Sequence, residues 1–106
     1  MKKVITHKEI QSRCGAIAQR LVKGASFYGV PRGGIAPAYM LAMFADGSIA
    51  DRPEKADYIV DDLIDSGATR DRYAAKFPTI PFITLFDKKD SADWLVFPWE
   101  ISDMGR

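Results

Sequence analysis

A chain of 106 residues has room for one hydrophobic core, since each core usually needs roughly 100–150 residues, so residues 1–106 are expected to form a single domain. Its 47% hydrophobic and 11% aromatic content suits a packed globular protein and excludes a chain that stays disordered. Fifteen basic and 14 acidic residues leave a formal net charge of +1, too little for the basic stripe that nucleic-acid or membrane-surface binding requires, so any anion must be held locally.

The chain opens on Met-Lys-Lys with too little apolar sequence behind it for a signal peptide, and no run approaches the roughly 18 apolar residues of a membrane span. A cytoplasmic location is expected. Thr6 followed by Glu9 fits a capping box, which predicts a helix start there. Ile10, Cys14, Ile17, Ala18, Leu21 and Val22 recur at helical spacing and Gly24 supplies the stop, giving about four turns. Cys14 has no partner for an internal disulfide, and its place in this pattern predicts a buried, unreactive thiol. Ala25 to Val30 reads as a short buried strand, and Pro31, Arg32, Gly33 and Gly34 as a sharp loop. Ile35 to Ala45 is apolar almost all round, which predicts a helix buried against a sheet.

The polar stretch from Asp46 to Lys55 is short enough for an ordinary connection. Ala56 to Val60 reads as a second buried strand that runs into an acidic, glycine-containing segment. A shorter helix from about Thr69 to Lys76 is followed by a strand from Pro81 to Phe86 and a candidate fourth strand from Trp94 to Phe97. Strands alternating with helices predict an α/β fold, a small parallel sheet with helices on both faces.

Asp61 to Thr69 carries the chemistry. It sets two adjacent carboxylates at the end of a strand and a small-residue turn before a helix, and in open α/β sheets ligands gather at the carboxyl ends of strands. A phosphate suits Ser66, Gly67, Ala68 and Thr69, with Gly67 letting the backbone approach and the hydroxyls of Ser66 and Thr69 donating hydrogen bonds. Lysine and arginine need not supply the main contacts. Asp61 and Asp62 are suited to accept from vicinal hydroxyls or to ligate a hard cation. An ordinary strand end with solvated aspartates and a capped helix explains each of these residues singly but not their combination.

The segment Asp61-Asp62-Leu63-Ile64-Asp65-Ser66-Gly67-Ala68-Thr69 resembles the phosphoribosyl-pyrophosphate signature of the type I phosphoribosyltransferases, with Ser66 in place of a threonine. The resemblance implies that Asp61 and Asp62 hold the ribose hydroxyls, that Asp62 shares a magnesium ion, that Asp65 to Thr69 cradle the 5′-phosphate, and that Asp65 shuttles a proton as the catalytic residue. Tyr28 to Pro37 is similar to the family's pyrophosphate loop and the helix behind it, which assigns Pro31, Arg32 and Gly33 to the pyrophosphate. Phe86 to Lys89 and Asp93 to Glu100 resemble the base-recognition region of the xanthine–guanine members. There Lys88 would read a 6-oxo group, Trp94 would stack on the purine, and Leu95 would add backbone contacts; core packing is the alternative for Trp94 and the favoured reading for Trp99.

The middle of the chain departs from that family, because about ten polar residues after the second predicted helix replace extra strands and a long flexible loop. Three functions are expected on these grounds. One is transfer of a phosphoribosyl group from 5-phosphoribosyl 1-pyrophosphate (PRPP) to a 6-oxopurine, giving a nucleoside monophosphate. The others are a nucleotide-binding module without turnover and a hydrolase of PRPP or of a nucleotide. The resemblance also implies a homodimer or larger homo-oligomer.

Overall fold

The computed structural model describes residues 2–64, 66–87 and 94–96, with residues 2–3 and 94–96 described as backbone alone. In chain order the elements are β1 (Lys2–Val4), α1 (His7–Ala18), β2 (Ser26–Gly29), α2 (Ile35–Phe44), β3 (Ser48–Ile49), a 3-10 turn (Pro53–Lys55), β4 (Tyr58–Ile64), α3 (Ala68–Lys76), β5 (Phe82–Asp87) and β6 (Trp94–Val96). Four strands form a parallel sheet in the order β3-β2-β4-β5. β1 and β6 pair separately, in parallel, with Lys3 opposite Leu95.

α1 begins where the capping pattern predicts, with the Thr6 hydroxyl accepting from the Glu9 amide at 3.1 Å. It ends at Ala18, a turn earlier than predicted: the Arg20 and Leu21 amides bond back to the Ile17 and Ala18 carbonyls, and Gly24 then carries a positive φ of 84°. The start of β2 is clasped to the start of β4 by reciprocal bonds. The Ser26 amide donates to the Asp57 carboxylate at 2.9 Å, and the Asp57 amide donates to the Ser26 hydroxyl at 3.0 Å.

The core lies between this sheet and the pair α1 and α2. Phe27, Val60 and Leu85 of the strands pack with Ile10 and Cys14 of α1 and with Ala38, Leu41 and Ala42 of α2. Burial pushes the Cys14 thiol up to about 11, so it stays protonated and unreactive near neutrality. Tyr28 points away from Phe27 by strand alternation, and its ring lies 6.4 Å from Tyr73 of α3, which covers the opposite face. Helices therefore stand on both faces, as expected.

Three further features differ from the sequence reading. β4 starts at Tyr58 and continues through Ile64, so Asp61 and Asp62 stand inside the strand's last turns of pleat and not beyond it. The strand predicted near residue 94 joins β1 and not the main sheet. α2 is not buried all round: Pro37, Ala38, Leu41 and Ala42 are buried, while Ile35, Tyr39, Met43 and Phe44 are exposed. A single helix rests on a sheet by one side, and hydrophobic composition alone does not supply a cover for the other. Residues 45–57 carry only β3 and the 3-10 turn, with no long loop. No helix among the described residues is long and apolar enough to cross a membrane.

Candidate functional site

The loop after β2 and the end of β4 are pinned together by backbone bonds. Val30 donates to the Val60 carbonyl at 2.8 Å and Gly34 donates to the Val30 carbonyl at 2.9 Å, which folds residues 30–34 back over the strand end. The peptide between Pro31 and Arg32 is cis, and both residues are exposed. A Cβ built at Gly33 would fall onto the Asp62 carboxylate. Gly33 of the loop and Asp62 of the acidic segment, 29 positions apart in the chain, thus meet at one point.

Asp61 has different surroundings. Its Oδ1 accepts from the Asp62 amide at 2.8 Å, and its carboxylate lines a cavity of about 70 Å³ together with Ser66, Gly67, Thr69 and Arg70. Burial, reinforced by a hydrogen bond with the Asp62 side chain and by that neighbour's charge, pushes the Asp61 carboxyl up to about 7. At neutral pH it is therefore poised between its protonated and ionised forms. The carboxyl is well placed to exchange hydrogen bonds with sugar hydroxyls, which can donate to it or accept from it.

The cavity's other wall is the start of α3. Gly67 caps that helix with φ 88°, a left-handed conformation that suits glycine, and the Ser66 hydroxyl accepts from the Ala68 amide at 3.2 Å. The first-turn amides and the hydroxyl of Thr69 are grouped where an anion is favoured by the helix dipole. The sequence reading missed Arg70. Its guanidinium would lie 3.1 Å from a Cβ at Gly67, and its Nε is 3.5 Å from the Asp71 carboxylate, so a positive charge stands at the cavity mouth. The available signal was a basic residue in the first turn of a helix, where the dipole disfavours one unless an anion is near.

The structure thus brings together Gly33 with Asp62, and Asp61 with Ser66, Gly67 and Thr69; Ala68 sits exposed at the head of α3. Asp65 and Lys88 lie outside the described residues. Trp94 and Leu95 are described as backbone in β6, beside β1, and their side chains lie outside the description.

No family model matches the sequence. The fold, however, matches solved structures over nearly its whole length. A purine phosphoribosyltransferase from Pyrococcus horikoshii Ot3 superposes with a TM-score of 0.65 at 20% identity, covering 92% of this chain and 93% of that one. The xanthine-guanine-hypoxanthine phosphoribosyltransferase of Helicobacter pylori gives 0.68 at 18% identity, over 99% and 97%. The fold is that of a purine phosphoribosyltransferase. A hypothetical protein from Neisseria gonorrhoeae with bound ppGpp also superposes on this chain, with a TM-score of 0.68 at 18% identity over 100% of this chain and 99% of that one. The parallel sheet belongs to that architecture, and ligands of such sheets collect at the carboxyl ends of the strands.

Proposed function

We propose that the protein transfers the 5-phosphoribosyl group of PRPP to a 6-oxopurine, with release of pyrophosphate. The convergence of the residue 31–33 loop on Asp62, beside a small cavity floored by Asp61 and the start of α3, is the observation that carries this reading. Ser66 to Thr69 would receive the 5′-phosphate, Asp61 and Asp62 the ribose hydroxyls, and Pro31 to Gly33 the pyrophosphate. Lys88, Trp94 and Leu95 are assigned to the purine by sequence resemblance.

In the proposed reaction the bond from C1′ to the pyrophosphate oxygen breaks and its electron pair leaves with pyrophosphate. A ring nitrogen of the purine forms the new bond to C1′, and the proton on the imidazole ring passes to the Asp65 carboxylate. Positive charge develops at C1′ and negative charge on the leaving group, so fixed dipoles and charges around both lower the barrier. No protein nucleophile is needed, and positioning supplies much of the rate.

Magnesium fits the donor set in a restricted way. Among the described residues no group of three or more His, Cys, Asp or Glu side chains could hold a metal ion. One or two carboxylates completed by substrate oxygens is the ordinary setting for this cation, and Asp62 beside the pyrophosphate loop meets that description. When bound there, magnesium would neutralise charge on the departing pyrophosphate.

A second reading, a nucleotide-binding module without turnover, is favoured by the short 45–57 connection, since closure of a loop over the site excludes water in such chemistry. A neighbour in structure holds bound ppGpp. Incubation with PRPP, magnesium and each 6-oxopurine, followed for nucleotide and pyrophosphate, separates the readings. Nucleotide formation reduced at least about 100-fold in Asp65→Asn and Asp62→Ala supports transfer. Pyrophosphate without nucleotide indicates hydrolysis, and calorimetric binding of a nucleoside monophosphate with neither product indicates the module.

A further inference from the structure

We propose that a cavity of about 260 Å³ between the 3-10 turn and the second half of α3 binds a guanine nucleotide, apart from the site at Asp61 to Thr69. Pro53 and Glu54 border it on one side, and Arg72, Tyr73, Lys76 and Phe77 on the other. Its volume is close to the roughly 300 Å³ at which small-molecule sites begin. The cavity at Asp61 meets the opposite end of α3, through Gly67, Thr69 and Arg70, and shares none of these residues. Occupancy of this second cavity needs no turnover at the first.

Charge is sorted around the cavity. Arg72 and Lys76 stand four apart on α3, a spacing at which like charges weaken a helix unless an anion lies between them. Glu54 borders the same cavity, yet among the described residues neither cation forms an ion pair with it. A carboxylate and two cations thus share one cavity without neutralising each other. The wall beside them is aromatic: Tyr73 stacks on Phe77 with ring centres 6.2 Å apart, and the Arg72 guanidinium lies 5.7 Å from the Tyr73 ring. Burial first, then Tyr73 and last the charge of Glu54 raise the Tyr28 phenol above its ordinary value, which puts the Glu54 carboxylate within electrostatic reach of this aromatic group. A ligand that complements the arrangement has a flat ring, an edge of N–H donors and an anionic group. Guanine offers adjacent ring and exocyclic N–H groups that donate together to one carboxylate, and its nucleotide carries a phosphate for Arg72 and Lys76. Adenine turns a ring-nitrogen lone pair toward the same carboxylate and is disfavoured.

Calorimetry of the full chain with guanosine 5′-monophosphate, adenosine 5′-monophosphate and ribose 5-phosphate tests the assignment. Glu54, Arg72 and Lys76 are exposed, so Glu54→Gln and Lys76→Gln should keep the wild-type far-ultraviolet circular dichroism spectrum. The guanine nucleotide is expected to bind at least about tenfold more tightly than the adenine nucleotide. Lys76→Gln should weaken it at least about tenfold, and Glu54→Gln should remove the preference between the two bases. Ribose 5-phosphate reports the site at Asp61 to Thr69, and its affinity should be unchanged in both variants, so failure of one site is read separately from failure of the other. Absence of guanosine monophosphate binding, binding indifferent to Lys76→Gln, or equal affinity of the wild type for the two nucleotides would each overturn the proposal.

Discussion

Gly33 and Arg70 test the site from its two sides. At Gly33 the added methyl of an alanine would occupy the position of the Asp62 carboxylate, so either the loop or that carboxylate must shift. Overpacking of this kind costs about 1–3 kcal/mol of stability. A displacement near 1 Å in a positioned group can cost on the order of 100-fold in rate. Gly33→Ala is therefore expected to lose far more PRPP binding or turnover than its modest fall in denaturation midpoint would suggest, which calorimetry beside a urea titration would reveal. Arg70→Ala should behave in the opposite sense. The side chain is exposed and its ion pair with Asp71 spans 3.5 Å, a contact of small value to folding. A hydrogen bond to a charged group contributes about 1.5–3 kcal/mol, so the expected result is a roughly 10- to 100-fold loss of ribose-5-phosphate affinity at unchanged stability. Equal affinities for wild type and variant would remove Arg70 from the phosphate site.

At the scale of elements, what the sequence disclosed follows from how local each signal is. The capping pair Thr6 and Glu9 located the start of α1 because a cap is settled within one turn of helix. β2 and β5 were visible as short apolar runs, whereas β3 was not: Ser48 and Ile49 are both exposed, and they form a strand only because Ser26 and Phe27 lie alongside them. The end of β4 was read too early for a related reason. Asp61 and Asp62 look like residues past a strand, yet pairing with β5 carries the ladder through Ile64 opposite Asp87. The motif from Asp61 to Thr69 is a continuous segment, so the sequence could single it out as a candidate. Its contact with Gly33 depends on the crossover through α2, and no local pattern reports how close two such segments come.

For the whole molecule, Asp61 makes folding depend on pH in a direction opposite to ordinary acid denaturation. In the unfolded chain its carboxyl loses a proton near 3.8; in the folded protein, burial first and the neighbouring Asp62 second raise that point to about 7. Between these values the native state holds a proton that the unfolded chain has released. The stabilising contribution of this group is thus complete below about pH 4, declines as the pH rises, and is lost above about pH 7. Asp61→Asn keeps the shape and removes the titration. The gap in urea midpoint between Asp61→Asn and wild type is therefore expected to widen in favour of the variant from pH 5 to pH 8, and a gap that stays constant would refute the assignment. Sugar hydroxyls that donate to the carboxylate favour its ionised form, so a bound ribose phosphate should draw the transition to lower pH. In the wild type alone, that ligand should then stabilise more at pH 8 than at pH 5, which couples occupancy of the cavity to the ionisation that folding by itself resists.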